Sequence, residues 1–198
     1  MLLNIVLMTI IGSYLVPIKV LEAGMQTAVL APATKDDMPT DWSCDWDSLW
    51  INTDFECQNI VKLDYENQVW GLVRYGLYPY PGSPPEAPKL LEIENIEANP
   101  FNRGQLSSRL VEPVGKWLIW YSTKVSLQYC SGELNDTAIY LVSLEPVIEY
   151  YRDTIKMQDI GAITIAPGED GYAFEFSRAG ATSFCQRLET EWGVPTLI

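Results

Sequence analysis

At 198 residues, with 47% hydrophobic and 20% charged residues, the chain is one ordinary domain with enough apolar material for a core. Asp and Glu outnumber Lys and Arg by 26 to 13, which argues against a nucleic-acid-binding protein, because that needs a basic face. The acidic balance fits plain solubility and also a cationic partner such as an amine. Histidine is absent, so His-based triads, His-containing metal sites and the usual imidazole base are excluded. Any chemistry falls to carboxylates, Tyr, Cys, Lys or backbone groups. Cys44, Cys57, Cys130 and Cys185 are scattered with no C-x-x-C pair, which reads as reduced, partly buried thiols rather than a zinc site or a disulfide framework.

Residues 1–18 carry no charge and are mostly aliphatic. A membrane span needs ~20 apolar residues, and Pro17 followed by Lys19 cuts the run short. A signal peptide needs a basic start, which is missing, although AVLAPA resembles a cleavage site. The favoured reading is translation from Met25, or a leader that packs as an extra element; residues 1–24 are then the leader and residues 25–198 a single domain. APATKDDMPTDW is turn-rich and precedes a candidate helix, with Trp42, Trp46, Leu49 and Trp50 on one face and Asp41, Asp45 and Asp47 on the other. That tryptophan stripe is read as core, with an acceptor platform as the other reading.

From Gln58 the period becomes two. NIVKLDY, the turn ENQ and VWGLVRYGLY form an antiparallel hairpin. The proline-rich YPYPGSPPEAP cannot continue a strand and is a long loop leading back into LLEIENIEA. Tyr78 and Tyr80 stand in or beside it. The stretch over residues 89–124 organises the rest: a strand breaks at Asn99-Pro100, runs through a polar turn and ends in a helix. Leu110, Val114, Trp117, Leu118 and Tyr121 fall at helical spacing, so that helix is placed from near Leu110, with Pro113 in its first turn. TAIYLVSL is a strand, and residues 145–157 form an amphipathic helix with Val147, Ile148, Tyr151 and Ile155 on one stripe. IGAITIA and YAFEFS make a hairpin through PGEDG, and AGATSFCQRLETEW is a closing helix. The sum is α+β, with most strand pairs antiparallel.

Three stretches, IEANPFNRG, VGKWLI and EPVIEYYRDTIKM, resemble the cofactor-binding core of the GNAT superfamily of N-acetyltransferases, in order and spacing, from about Asn59 to Ile165. The resemblance implies a central, mostly antiparallel mixed sheet flanked by helices, and acetyl transfer from acetyl-CoA, as co-substrate, to a small-molecule or peptide amine. No covalent intermediate is implied. It further implies no metal, no nucleic acid, no membrane, a cytoplasmic location and a monomer or homodimer. The strand ending at Glu97-Ala98 is expected to splay from its neighbour and lend its bare amides to the pantetheine arm. The pyrophosphate is expected on the next helix tip, at Val114, Gly115 and Lys116, with Arg103 and Gly104 in the preceding loop. Tyr151 matches the tyrosine that protonates the leaving thiolate, with Tyr150 in the family's Phe position. Glu92 and Glu94 share a strand face by alternation, and Glu94 is the chosen base for the amine proton.

The sequence also departs from the pattern. Where the family has Q/R-x-x-G-x-G, this chain has LVEPVG, so Gly115 alone survives, Pro113 removes a donor and Glu112 brings negative charge. The longer loop NRGQLSSR offers Arg103, Ser107, Ser108 and Arg109, with Lys116 beyond it, as compensating contacts. The family's asparagine is replaced by Leu144 beside Ser143, and its glycine before Met157 by Lys156. This eroded motif supports a second reading, a catalytically inactive GNAT-like binding or interaction protein.

Overall fold

The structure is a computed structural model that describes residues 9–78, 88–103, 109–167 and 169–198, without the side chain of Glu169. Its centre is the hairpin of β3 (Gln58–Tyr65) and β4 (Gln68–Tyr78). Glu66 and Asn67 turn the chain with φ of 55° and 59°, the left-handed pair that a tight hairpin turn requires. β4 reads as an almost continuous apolar run because both of its faces are covered. Val73, Tyr75 and Leu77 enter the main core, while Leu72 joins Trp46, Met38 and Ile60 in a smaller one. α1 (Trp46–Ile51) closes that smaller core, capped by Asp45, whose carboxylate accepts from Ser48 N.

β5 (Leu90–Ala98) lies antiparallel to β4, and α2 (Val114–Tyr129) crosses the sheet behind it. α2 is buried nearly all round, with Trp117, Leu118 and Tyr121 at 0% exposure. The sheet takes one side of α2 and α3 (Arg178–Trp192) the other, where Trp120 Nε1 donates to Glu189 at 2.9 Å. Gly71 allows the close approach, since a Cβ there would lie 2.5 Å from Val114 Cγ1 and 2.8 Å from Leu118 Cδ1. β7 (Thr137–Ser143), β8 (Gln158–Ala166) and β9 (Glu169–Ser177) complete this half. Two more strands stand on the opposite side, β1 (Tyr14–Val20) and β2 (Gly24–Pro32), with short pairings to β1 from β6 (Val111–Glu112) and β10 (Thr196–Leu197). The path through the sheet is β10-β1-β2-β3-β4-β5-β7-β9-β8. The α+β reading, with a mixed and mostly antiparallel sheet flanked by helices, stands.

Three sequence expectations need correction. The sheet begins at Tyr14, inside the apolar stretch read as an outright leader or as an extra packed element, and runs on through β2, for which no strand was expected. Val16, Ile18 and Leu30 are fully buried, and Pro17 falls between the outer partners of β1, so it interrupts neither ladder. Second, α2 starts at Val114 rather than near Leu110, with Pro113 as its N-cap residue. Asn102 explains the delay. Its side chain donates to Val111 O at 2.7 Å and accepts from Val111 N at 2.9 Å, which holds that residue extended. Third, residues 145–155 do not form a regular α-helix. They start as a 3-10 turn (Glu145–Val147) and end as a wide π turn (Tyr150–Ile155).

Lys156 closes that turn at φ 69°, in the left-handed region that favours glycine, the residue the family pattern has here. Lys156→Gly is therefore expected to raise stability by up to about 1 kcal/mol, read from the urea midpoint. The four cysteines are free thiols. Among the described residues, no helix is long and apolar enough to cross a membrane.

Candidate active site

The ladder of β5 is asymmetric. On one side it pairs with β4 from Leu90 to Ala98, skipping Glu94, since Tyr75 faces Ile93 and Arg74 faces Asn95. On the other it pairs, in parallel, only through Leu91–Ile93 with Ile139–Leu141 of β7. From there β7 follows β9 to Ser143, and the edge of β5 from Glu94 to Ala98 has no strand partner on that side among the described residues. Two residues past the last pair, Ser143 is 5% exposed and its buried Oγ has no hydrogen bond among the described residues. A buried hydroxyl left without a partner marks a place where a polar group is wanted.

The tip of α2 adjoins Ala98, which pairs with Gly71 against the first turn of the helix. No side chain caps it, so the opening N–H groups lack a side-chain acceptor among the described residues. Val114 is buried toward the sheet, and Lys116 turns to α3, 3.3 Å from Glu191. Gly115 is covered by one group. A Cβ there would stand 2.7 Å from Tyr150 Oη. Glu112, two residues before the helix, has one enclosed carboxylate oxygen, Oε1, without a partner among the described residues.

Of the residues expected to bind cofactor, the structure therefore gathers Ala98, Val114 and Gly115. Glu97 and Arg103 point elsewhere. The Glu97 carboxylate accepts from Ser43 N at 2.8 Å, Cys44 N at 3.1 Å and Trp46 Nε1 at 2.8 Å, and is salt-bridged to Arg103. Burial pushes this carboxyl up, but the Trp46, Cys44 and Ser43 donors outweigh it and hold it below the usual range. Arg103 also donates to Ser43 Oγ at 2.8 Å, so both side chains tie the α1 loop to the end of β5. Gly104, Ser107 and Ser108 lie outside the described residues, as does Tyr80.

The two tyrosines take different places. Tyr151 is 6% exposed and packs on Phe174, ring centroids 5.6 Å apart, whereas Tyr150 is half-buried with its hydroxyl at the α2 tip. Four residues, Arg152 to Ile155, separate Tyr151 from Lys156, where the family pattern has three. The wide turn absorbs the extra one. Burial pushes both phenols up, so each holds its proton at neutral pH.

The opposite face of β5 carries the acids. Glu94 accepts from Gln58 Nε2 at 2.6 and 2.9 Å and from Tyr78 Oη at 2.9 Å, and pairs with Arg74 Nη1 at 3.2 Å. Glu92 stands beside Tyr140 across the last stretch of parallel ladder and has no hydrogen-bond partner among the described residues. Burial and the charge of Glu94 push its carboxyl up. Sequence reasoning missed the retaining set of Gln58, Arg74 and Tyr78, and the clamp of Asn102. Arg74 had a signal, being the one basic residue in the apolar run VWGLVRYGLY. Asn102 had none.

No family model and no curated protein matches the chain. Solved structures do. An uncharacterized protein from Bacillus halodurans is 11% identical, with a TM-score of 0.55 over 83% of this chain and 91% of its own. An aminoglycoside acetyltransferase, solved with coenzyme A and kanamycin, is 13% identical, with a TM-score of 0.53 over 78% of this chain and 96% of its own. A GNAT-family acetyltransferase from Bacillus cereus is 12% identical, with a TM-score of 0.50 over 75% of this chain and 96% of its own. The fold is that of the GNAT N-acetyltransferases.

Proposed function

We propose that the chain is an acyl-CoA-dependent N-acyltransferase that moves an acetyl group to an amine within one ternary complex. The observation that carries this reading is the parting of β5 from β7 after Ile93, which leaves main-chain donors and acceptors without a strand partner, among the described residues, beside an uncapped helix tip. That arrangement suits the amide-bearing pantetheine arm, and the unpartnered Ser143 hydroxyl suits one of its polar groups. Ala98, Val114 and Gly115 would hold coenzyme A, which supplies the activated acetyl group. Tyr150 and Tyr151 keep their protons and can therefore act as proton donors, and the Tyr150 hydroxyl is the one at the tip. The four free thiols accord with a reducing compartment such as the cytoplasm.

One observation favours a second reading, a binding protein without catalysis. At the tip, the half-buried Glu112, one of whose carboxylate oxygens is enclosed, opposes a phosphate and Tyr150 covers Gly115. Calorimetry with coenzyme A and acetyl-CoA decides first. Saturable heat with both is expected, and none at millimolar ligand overturns the acyltransferase. Release of free coenzyme A in the presence of spermidine, tyramine or a lysine-bearing peptide then separates the enzyme from the binding protein.

A further inference from the structure

We infer that the outer edge of β8 is the surface on which two copies of this chain pair, strand against strand, antiparallel and about a two-fold axis. β8 ends the sheet and is bonded to β9 alone, so its outward N–H and C=O groups have no strand partner among the described residues. A second extended strand offers donors and acceptors at the matching spacing. Long edges are commonly guarded by lysine, proline or an inward-turned charge. The nine residues of β8, QDIGAITIA, hold neither lysine nor proline, and Asp159, near the start, is the one charged residue. The pairing with β9 skips Ile160 and Ile165, and these two bulged residues are each 48% exposed. Ala162 and Thr164, between them, are exposed as well. An apolar strand is thus presented to water beside bare main chain.

Charge points to a second copy as the occupant. The chain carries a net charge of -13, so two copies repel over most of their surfaces and meet at least cost along a stretch that is nearly neutral. The two ends of β8 are of opposite sign. Lys156 is exposed just before the strand, and Asp170 is exposed just after the turn that follows it. Neither is in a salt bridge among the described residues, and Asp170 accepts only from Thr164 Oγ1, at 3.3 Å. Antiparallel pairing of β8 with itself turns each Lys156 toward the other copy's Asp170, and the two-fold axis makes that contact twice. Parallel pairing would set like charge against like.

The pairing also reaches the site. Lys156 closes the wide turn that carries Tyr150 and Tyr151, so the second copy braces that turn from outside. Two sites are then joined through one continuous sheet. None of this depends on acyl transfer, and the two proposals stand or fall separately.

Sedimentation equilibrium of the full chain over the micromolar range tests this. Expected for wild type is a monomer–dimer equilibrium, with the outward amides of β8 exchanging more slowly as the protein concentration rises. Ile160→Lys combined with Ile165→Lys should raise the dimer Kd by about tenfold or more, since both copies then bring lysines against an apolar strand. Both side chains are half exposed, so the fold should survive, as read from the urea midpoint. If it does not, Ala162→Lys, at an exposed position of the same strand, takes its place. Lys156→Glu and Asp170→Lys should each weaken the dimer, and the two together should restore it. The inference is overturned by a wild type that stays monomeric at near-millimolar concentration, or by a dimer that the lysine variants leave intact. Failure of the charge exchange to restore pairing would overturn the antiparallel arrangement and the inference with it.

Discussion

Glu97→Ala is expected to cost about 3–5 kcal/mol of stability, measured by urea unfolding, because it removes the acceptor shared by four donors in a site 8% exposed. Ser43 N, Cys44 N and Trp46 Nε1 would be left unpaired, and burying an unmet donor costs more than the bond returned. Arg103 matters less, since its side chain is 43% exposed and water can replace the carboxylate. The pH dependence follows from the sign of the shift. The Glu97 carboxyl is held low in the folded chain, so its contribution is present above the ordinary carboxylate pKa and lost as pH falls through the depressed folded value. The variant should therefore lose that part of the acid sensitivity of wild type. An unchanged acid transition in Glu97→Ala would contradict the assignment.

Trp117→Ala should be of similar size, about 3–5 kcal/mol, for a different reason. The indole is fully buried between α2, the sheet and Trp120, whose ring lies 5.8 Å away edge-on. Its Nε1 donates to Pro17 O at 2.7 Å, which makes it the pin between α2 and β1. Trp117→Phe isolates the polar part. It keeps most of the apolar volume, leaves the Pro17 carbonyl unmet, and should cost about 1–3 kcal/mol. Faster amide exchange in β1 of both variants checks the pin, and equal exchange would show that β1 is held by its ladders alone.

The longer strands from Gln58 onward were legible because each shows its own period and its own turn, whereas the two-residue strands β6 and β10 are too short to show either. Glu66-Asn67 marks one hairpin, and the proline-rich run marks the end of β4. α2 was legible from the spacing of Val114, Trp117, Leu118 and Tyr121. β1 and β2 were not, because uncharged residues around Pro17 carry no alternation to distinguish a strand from a leader. The start of α2 escaped because what delays it is a side chain, Asn102, acting on backbone nine residues away. At the site, alternation placed Glu92 and Glu94 on one face but could not show the skipped residue in the β4–β5 register, nor the partners that retain Glu94. The family pattern singled out Tyr151, but the hydroxyl at the α2 tip is that of Tyr150, whose ring lies 5.4 Å from the Tyr151 ring. Main-chain groups at the end of β5 carry no side-chain signal at all.

Three register pairs join β5 to β7, and across them the sheet divides into two leaves. The strands that flank this junction are stitched to their other neighbours by longer ladders, β5 against β4 along its full length and β7 against β9. The angle between the leaves is consequently set by the helix that spans both, through apolar packing and the Ser126 hydroxyl on Ala138 O, more than by interstrand hydrogen bonds. A molecule wedged into the gap can alter that angle without breaking a strand, so the hinge of this fold and its mouth are the same place.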